Sequence, residues 1–323
     1  MAMVVTLKDI ADAVGVKKQT VSVVLNNKPT AIPVSKATRE RILETARHMK
    51  YHPNGAARSL ATGRTQRVAF WMPVLEGRFF HEISCLLHRL VRDKRYELIA
   101  WEFDRQTPDH SHSAGFARID VDGVMVFGSG LEPKVHSNLG RVPIVNMGMH
   151  CSGGPQDFVE VDLYPASRKA VEYLLDRGRS RVAYMLCVED DRHQAYLDAM
   201  RNADKSPELI VCPDYFRGTG RRVIKEYVLA HGCPEGIFCI SDELAIGASR
   251  GLRDLGLRIP RDVTMVGCEG IEDLDYLESP ISSVSVPKDE MCRLAWDFLY
   301  QRIQQPQVPQ QAAFLSATLQ VRE

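Results

Sequence analysis

The 323 residues contain no apolar run long enough to cross a bilayer. Residues 1–5 lack the charged start, long apolar stretch and cleavage site of a signal peptide, so the chain is expected to stay in the cytoplasm. None of the eight cysteines (85, 151, 187, 212, 233, 239, 268 and 292) forms a CxxC pair, and most sit in apolar runs such as 184–188 and 237–240. That pattern argues for buried free thiols in a reducing compartment and against a disulfide or metal framework. Gly128-Ser129-Gly130 follows an expected strand but lacks the third glycine of a dinucleotide fingerprint, and neither GxxxxGK(S/T) nor GxSxG occurs. His81-Glu82 begins like a zinc-protease motif, yet Cys85 stands where the second histidine is needed and His88 is wrongly spaced. His110 and His112 lie in a polar stretch and read as solvent-exposed. No nucleophile, base and orienter come together, so no enzyme, cofactor or metal site is expected.

Net charge is also absent overall, but its distribution is uneven. Residues 1–67 carry twelve Lys/Arg against four Asp/Glu, a local +8, and the remainder carries −8. A basic head on an acidic body suggests that the head meets a polyanion, although a solvated basic face would give the same count. At 45% hydrophobic and 25% charged residues, the composition is that of a folded globular protein and excludes whole-chain disorder or coiled coil. The length exceeds one ordinary core and fits two or three domains.

In the head, Thr6 is a candidate N-cap with Asp9 three residues on, and Leu7, Ile10, Ala11 and Val14 share one helical face. Gly15 stops that helix and Val16 packs beneath the turn. A second helix is expected over 17–25, with Val21, Val24 and Leu25 inward, broken by Asn26-Asn27-Lys28-Pro29. Ser35 is a candidate N-cap for a third helix, whose apolar positions are Ile42, Leu43, Ala46 and Met49. Three short helices with a glycine turn between the first two is the plan of a helix-turn-helix, which sets the start of its second helix in the major groove. Lys18, Gln19 and Ser22 would then reach base edges or phosphates. A generic three-helix bundle remains the alternative on pattern alone.

Past the basic junction 63–67, short apolar runs alternate with amphipathic stretches. Strands are expected at 68–72, 98–103, 124–127, 159–161, 182–186, 209–212, 236–240, 263–266 and 283–286. Helices are expected at 80–91, 166–175, a segment ending near Met200, 223–231, 245–255 and 291–303. Repeated βαβ units imply parallel sheets covered on both faces, and about 255 residues divide naturally into two α/β subdomains. Ligands of such sheets sit at the carboxyl ends of the strands, here in a cleft between the subdomains.

The ordered series Thr6-Leu7-Lys8-Asp9-Ile10-Ala11, Gly15-Val16, Thr20-Val21-Ser22, Leu25-Asn26, Val34-Ser35, Thr38-Arg39, Tyr51-His52-Pro53-Asn54 and Ala57-Arg58-Ser59-Leu60-Ala61 resembles the headpiece of the lactose/purine repressor (LacI) family. Asp122-Gly123-Val124, Ser241-Asp242, Gly247-Ala248, Ile259-Pro260, Val266-Gly267 and Pro280 extend a less specific resemblance over the body to about Val321. The resemblance implies an all-α headpiece with hinge helix over residues 1–62 (hinge about 53–61). Residues 63–323 would form an effector-binding and dimerisation body like a type I periplasmic binding protein. It implies a transcriptional regulator, most plausibly a repressor, reading a near-palindromic operator as a homodimer under control of a small polar metabolite such as a sugar. By position, Lys18 and Gln19 resemble base readers. Thr6, Thr20, Ser22, Asn26, Thr38 and Asn54 resemble contacts seating the head on DNA. Ala57 and Leu60 fall in the hinge, with Leu60 as the minor-groove wedge.

In the body, Phe79, Arg192, Tyr215, Ser241 and Glu269 match effector-contacting positions. Departures limit transfer: Val23 replaces a frequent arginine, the loop 27–33 is longer, Glu269 replaces aspartate, and Gly77-Arg78 replaces Asn-Pro. The loop 188–191 is short and acidic, so Asp190 or Asp191 is placed to pair with Arg192. A sugar-binding protein without specific DNA function is the competing reading, though it has no need of residues 6–62. Without a leucine heptad tail the dimer is the largest assembly expected. Whether ligand releases DNA or tightens it stays open.

Overall fold

A computed structural model describes residues 5–25, 34–51, 59, 62–73, 77–102, 120–128, 140, 142–152 and 154–322. The chain forms two compact units, residues 1–65 and 66–323.

In the first unit, α1 (Leu7–Val14) opens with a reciprocal capping box. The Asp9 amide donates to Thr6 Oγ1, and the Thr6 amide donates to Asp9 Oδ2 at 2.7 Å. Gly15 closes the helix at φ 76°, a conformation that favours glycine. Next come α2 (Lys18–Leu25) and α3 (Lys36–His48), the latter capped by Ser35, whose hydroxyl accepts from the Thr38 amide. The second helix starts one residue later than its sequence suggests, because Lys17 supplies the carbonyl that its first amides use. Ile10, Ala11, Val14, Val21, Val24, Ile42 and Ala46 form the core, with Val16, Leu25, Leu43 and Met49 packed around it. Arg41 of α3 donates to the Val14 carbonyl at 2.9 Å, serving an end-of-helix acceptor and tying α3 to α1.

The second unit has, among the described residues, two six-stranded sheets. The first is ordered β11-β5-β4-β3-β1-β2, from β1 (Arg67–Met72), β2 (Glu97–Glu102), β3 (Gly123–Phe127), β4 (Ile144–Gly148), β5 (Asp157–Asp162) and β11 (Ala312–Ser316). The second is ordered β12-β10-β9-β8-β6-β7, from β6 (Val182–Leu186), β7 (Glu208–Val211), β8 (Gly236–Cys239), β9 (Thr264–Glu269), β10 (Ser282–Ser285) and β12 (Thr318–Gln320). All described pairings are parallel except β10 with β12.

Helix α4 (Arg78–Asp93) covers the first sheet, and α9 (Lys288–Gln304) packs beside it on β3, β4 and β5. Helices α5 (Tyr164–Asp176), α6 (Asp191–Asn202), α7 (Arg217–His231) and α8 (Asp242–Asp254) serve the second sheet. The chain therefore passes between subdomains three times: after β5, between β10 and α9, and between β11 and β12. At the third passage the Ala317 amide donates to the Asp162 carbonyl of the first, binding the two passages together. Arg302 and Asp157 pair at 2.7 Å beneath β11, and Gln311 adds bonds to the same carboxylate.

Helix α7 begins six residues before the expected 223, because its first turns carry glycines in place of apolar residues. Those glycines answer others on α8. A Cβ on Gly247 would stand 2.0 Å from the Arg217 carbonyl oxygen, and one on Gly251 would stand 2.6 Å from that of Arg221. The helices therefore touch backbone to backbone. All eight cysteines are free, and Cys85 is exposed.

Gly247→Leu should destabilise the second unit by about 1–3 kcal/mol through overpacking, lowering Tm by at least about 2 °C. A melting curve that superimposes on wild type would show that α7 and α8 can separate at no cost.

Candidate functional site

The head presents Lys18 and Gln19, both exposed, in the first turn of α2, with Thr20 and Ser22 half-buried behind them. Thr6 and Thr38 lie at the starts of α1 and α3. Their hydroxyls are engaged locally, Thr6 Oγ1 donating to Asp9 at 2.8 Å and Thr38 Oγ1 lying 2.8 Å from Ser35 Oγ. The Thr6 amide and hydroxyl hold the Asp9 carboxyl below its ordinary value. Asn26, Asn54, Ala57 and Leu60 lie outside the described residues, as do the loop 27–33 and most of the expected hinge.

In the body, the strand ends of the two sheets enclose a cavity of about 20 Å³, room for about one water. Phe79, Phe127, Met149, Val161, Leu163, Val286 and Met291 make its wall mainly apolar, and Arg192, Cys268 and Glu269 add the polar part. Phe79, Phe80 and Phe127 contact edge to face at 5.0–5.7 Å. The structure thus brings together Phe79, Arg192 and Glu269 of the five expected effector positions. Tyr215 is half-buried against the core but is not part of this wall. Ser241 is buried as the N-cap of α8, accepting from the Leu244 amide at 3.2 Å, and is not part of the wall either.

Arg192 begins α6 with its side chain only 6% exposed. Asp190 does two jobs here. Its Oδ1 accepts from the Arg192 amide as the helix N-cap, and its carboxylate takes the guanidinium at 3.0 Å from Nε and 2.5 Å from Nη2. Nη1 donates to the Ile240 carbonyl at 2.7 Å. Burial alone would raise the Asp190 carboxyl, but the Arg192 charge and hydrogen bonds hold it below its ordinary value. Asp191 is exposed and stands 3.7 Å from His150 across the cleft.

Glu269 ends β9 at φ 114°, a strained conformation for a residue other than glycine. Burial, reinforced by the Asp242 carboxylate, pushes its carboxyl far above the ordinary range. Its Oε2 is sealed from solvent with no hydrogen-bond partner among the described residues. Lys288 supports this corner, donating to the Gly270 carbonyl at 2.6 Å and the Glu269 carbonyl at 3.3 Å. Sequence reasoning missed Asp242 as more than a signpost. It is fully buried, accepts from the Ile271 amide and the Ser283 hydroxyl, and is pushed up to about 7 by burial. It also missed Lys288 and, apart from Phe79, the apolar wall, whose residues in sequence look like ordinary core residues.

Charged contacts draw the cleft shut. Helix α4 has no side-chain cap of its own, and Glu243 of the opposite subdomain accepts from its Arg78 amide at 2.8 Å. The Arg78 side chain pairs with Glu272 at 2.6 Å and Asp273 at 3.3 Å, which gives the Gly77-Arg78 departure a structural purpose. Glu82 meets the Lys288 ammonium at 2.8 Å and the Glu272 amide at 3.1 Å. Burial would raise the Glu82 carboxyl, but these donors outweigh it and hold it below its ordinary value. Among the described residues no helix is long and apolar enough to cross a membrane, and no three His, Cys, Asp or Glu are grouped to hold a metal.

A helix-turn-helix unit and a two-lobed body enclosing a small cavity with an apolar wall and one arginine define a regulator whose parts match known families. Residues 6–54 match the bacterial regulatory proteins, lacI family, and residues 171–323 match the periplasmic binding protein-like domain. The transcriptional repressor MelR of Bacillus subtilis (strain 168) is 29% identical over 348 residues, covering 99% of this chain and 97% of MelR. The regulator CelR in complex with cellobiose is 25% identical with a TM-score of 0.69, covering 99% of both chains. The lac repressor dimer bound to operator and the anti-inducer ONPF shares the fold at TM-score 0.84 and 20% identity, covering 99% of this chain and 98% of that one. The chain belongs to the LacI family and is a ligand-responsive transcriptional regulator.

Glu82→Gln should cost about 1.5–3 kcal/mol at neutral pH, the worth of hydrogen bonds to a charged group, and should speed amide exchange across Glu272–Tyr276. Because the folded Glu82 carboxyl titrates below its ordinary 4.5, this stabilisation is present above that pH. It is lost as pH falls through the folded value, so the two proteins should converge in acid. Equal exchange in both proteins at pH 7 would show that the Glu82 contacts do not hold the cleft.

Proposed function

We infer that the protein represses transcription by binding a near-palindromic operator as a homodimer in the bacterial cytoplasm, on the nucleoid when DNA-bound, and that a sugar or related polar metabolite controls its affinity. The chain acts by binding, without catalysis. The carrying observation is the cleft: Arg192 and Glu269 line one cavity with an otherwise mainly apolar wall, in the same chain as a head with exposed Lys18 and Gln19. MelR is a repressor and CelR binds cellobiose, which supports both halves of the reading. The dimeric, operator-bound lac repressor with the same fold supports the assembly.

Residues 1–62 are assigned to DNA, with Lys18 and Gln19 reading bases, and Thr6, Thr20, Ser22, Asn26, Thr38 and Asn54 seating the head. Ala57 and Leu60 are assigned to the minor groove at the operator centre. Residues 63–323 are assigned to effector and dimer contacts. Phe79, Arg192 and Glu269 would contact the effector directly, and Tyr215 and Ser241 would join them only in an opened cleft. A space for one water admits no sugar, so the ligand would enter by parting the subdomains and breaking the bonds of Arg78 and Glu82 to Glu272 and of Lys288 to the Gly270 carbonyl. The shift requires different ligand affinities in the two states.

Leu60→Ala should weaken operator binding far more than binding to unrelated DNA, and equal loss on both would remove the wedge. Lys18→Ala or Gln19→Ala should each relax base preference at a few operator positions by about 1–3 kcal/mol. An unchanged preference profile would place base reading elsewhere.

A further inference from the structure

The charge around the cleft is nearly closed upon itself. Arg192 carries five N–H groups in a planar fork. Nε and one Nη2 hydrogen go to Asp190, one Nη1 hydrogen goes to the Ile240 carbonyl, and Nη1 lies 3.9 Å from Cys268 Sγ. The edge that would clamp an incoming carboxylate or phosphate is thus filled by a carboxylate of the same chain. The next cation, Lys288, is taken by Glu82 and by the Glu269 and Gly270 carbonyls. Among the described residues, Arg192 is the one cation that lines the cavity and Asp190 balances it, nearby Lys288 is balanced by Glu82, and Glu269 remains on the wall. An anion entering here would lose its water against a neutral or negative wall, a costly burial. A hydroxyl group would instead find the remaining Nη2 hydrogen as donor and Glu269 Oε2 as partner.

We propose that Asp190 is the specificity-determining residue of this cleft, making it a site for uncharged hydroxylated ligands and closing it to carboxylated or phosphorylated ones. The proposal rests on the reading of the cleft as the effector site. Asparagine caps helices as well as aspartate does, so Asp190→Asn keeps the start of α6 and removes only the charge that occupies Arg192.

The test uses the full chain and matched probes sharing one sugar skeleton: ribose and ribose 5-phosphate, glucose and glucuronate, cellobiose and cellobionate. Affinities are measured at constant ionic strength by equilibrium dialysis and thermal shift. Wild type should bind at least one neutral probe ten or more times tighter than its charged twin, and Asp190→Asn should shrink that ratio at least tenfold. A wild type that prefers the charged twin, a ratio that ignores Asp190→Asn, or no binding of any probe overturns the proposal. Arg192→Met tells the two levels apart. Neutral binding that vanishes there while the ratio ignores Asp190→Asn leaves the cleft as effector site and overturns only the charge rule. Neutral binding that persists in Arg192→Met lies outside the cleft and sinks the effector-site reading itself.

Discussion

A buried guanidinium demands a partner, and the pairing of Arg192 with Asp190 settles much of what surrounds it. Removing one member of such a pair typically costs about 3–5 kcal/mol, because the other charge is left uncompensated. The contact is held at both ends: Asp190 is fixed as the N-cap of α6, and the Ile240 carbonyl that takes Nη1 follows directly on β8. Arg192 is therefore tied to the strand end beside Cys268 and Glu269, on the wall of the cleft. A loop as short as 188–191 brings the carboxylate within reach without a long, mobile connection.

Around that fixed point, the two subdomains of the body meet across the cleft. Three chain passages join the subdomains, whose buried apolar residues form one continuous cluster, and ion pairs such as Arg78 with Glu272 and Asp273 close the rim. Exposed pairs such as Arg78 with Glu272 contribute little each. The half-buried Glu82 and Lys288 reach across instead through the Glu272 amide and the Gly270 carbonyl, beside the strained Glu269 corner.

Much of this was legible in the residues. Apolar periodicity located α1 and α3 closely, and continuous apolar runs located β1, β3 and β6, because central parallel strands are buried on both faces. The strands that escaped have physical reasons. Asn146 interrupts β4, and β11 and β12 are edge strands whose side chains alternate between half-buried and exposed. The return of the chain to the first sheet through α9 and β11 is a long-range pairing that no local pattern encodes. At the cleft, acidic residues beside Arg192 were visible, but which one paired was not. Asp190 adopts the extended N-cap conformation, while Asp191 is already helical and points to solvent and His150. Ser241 illustrates the opposite case, where a motif position at a strand end spends its hydroxyl on the helix that follows.

The central claim is that head and cleft are energetically coupled. The most direct measurement is the affinity of the full chain for its effector, a sugar on the reading proposed above, determined with and without saturating operator selected from random DNA. Linkage requires that operator change effector affinity by the same factor by which effector changes operator affinity. Equal, non-unit factors from the two titrations are the predicted result. A sugar affinity that is identical on and off DNA would contradict the account, leaving two binding functions in one chain with no regulation between them.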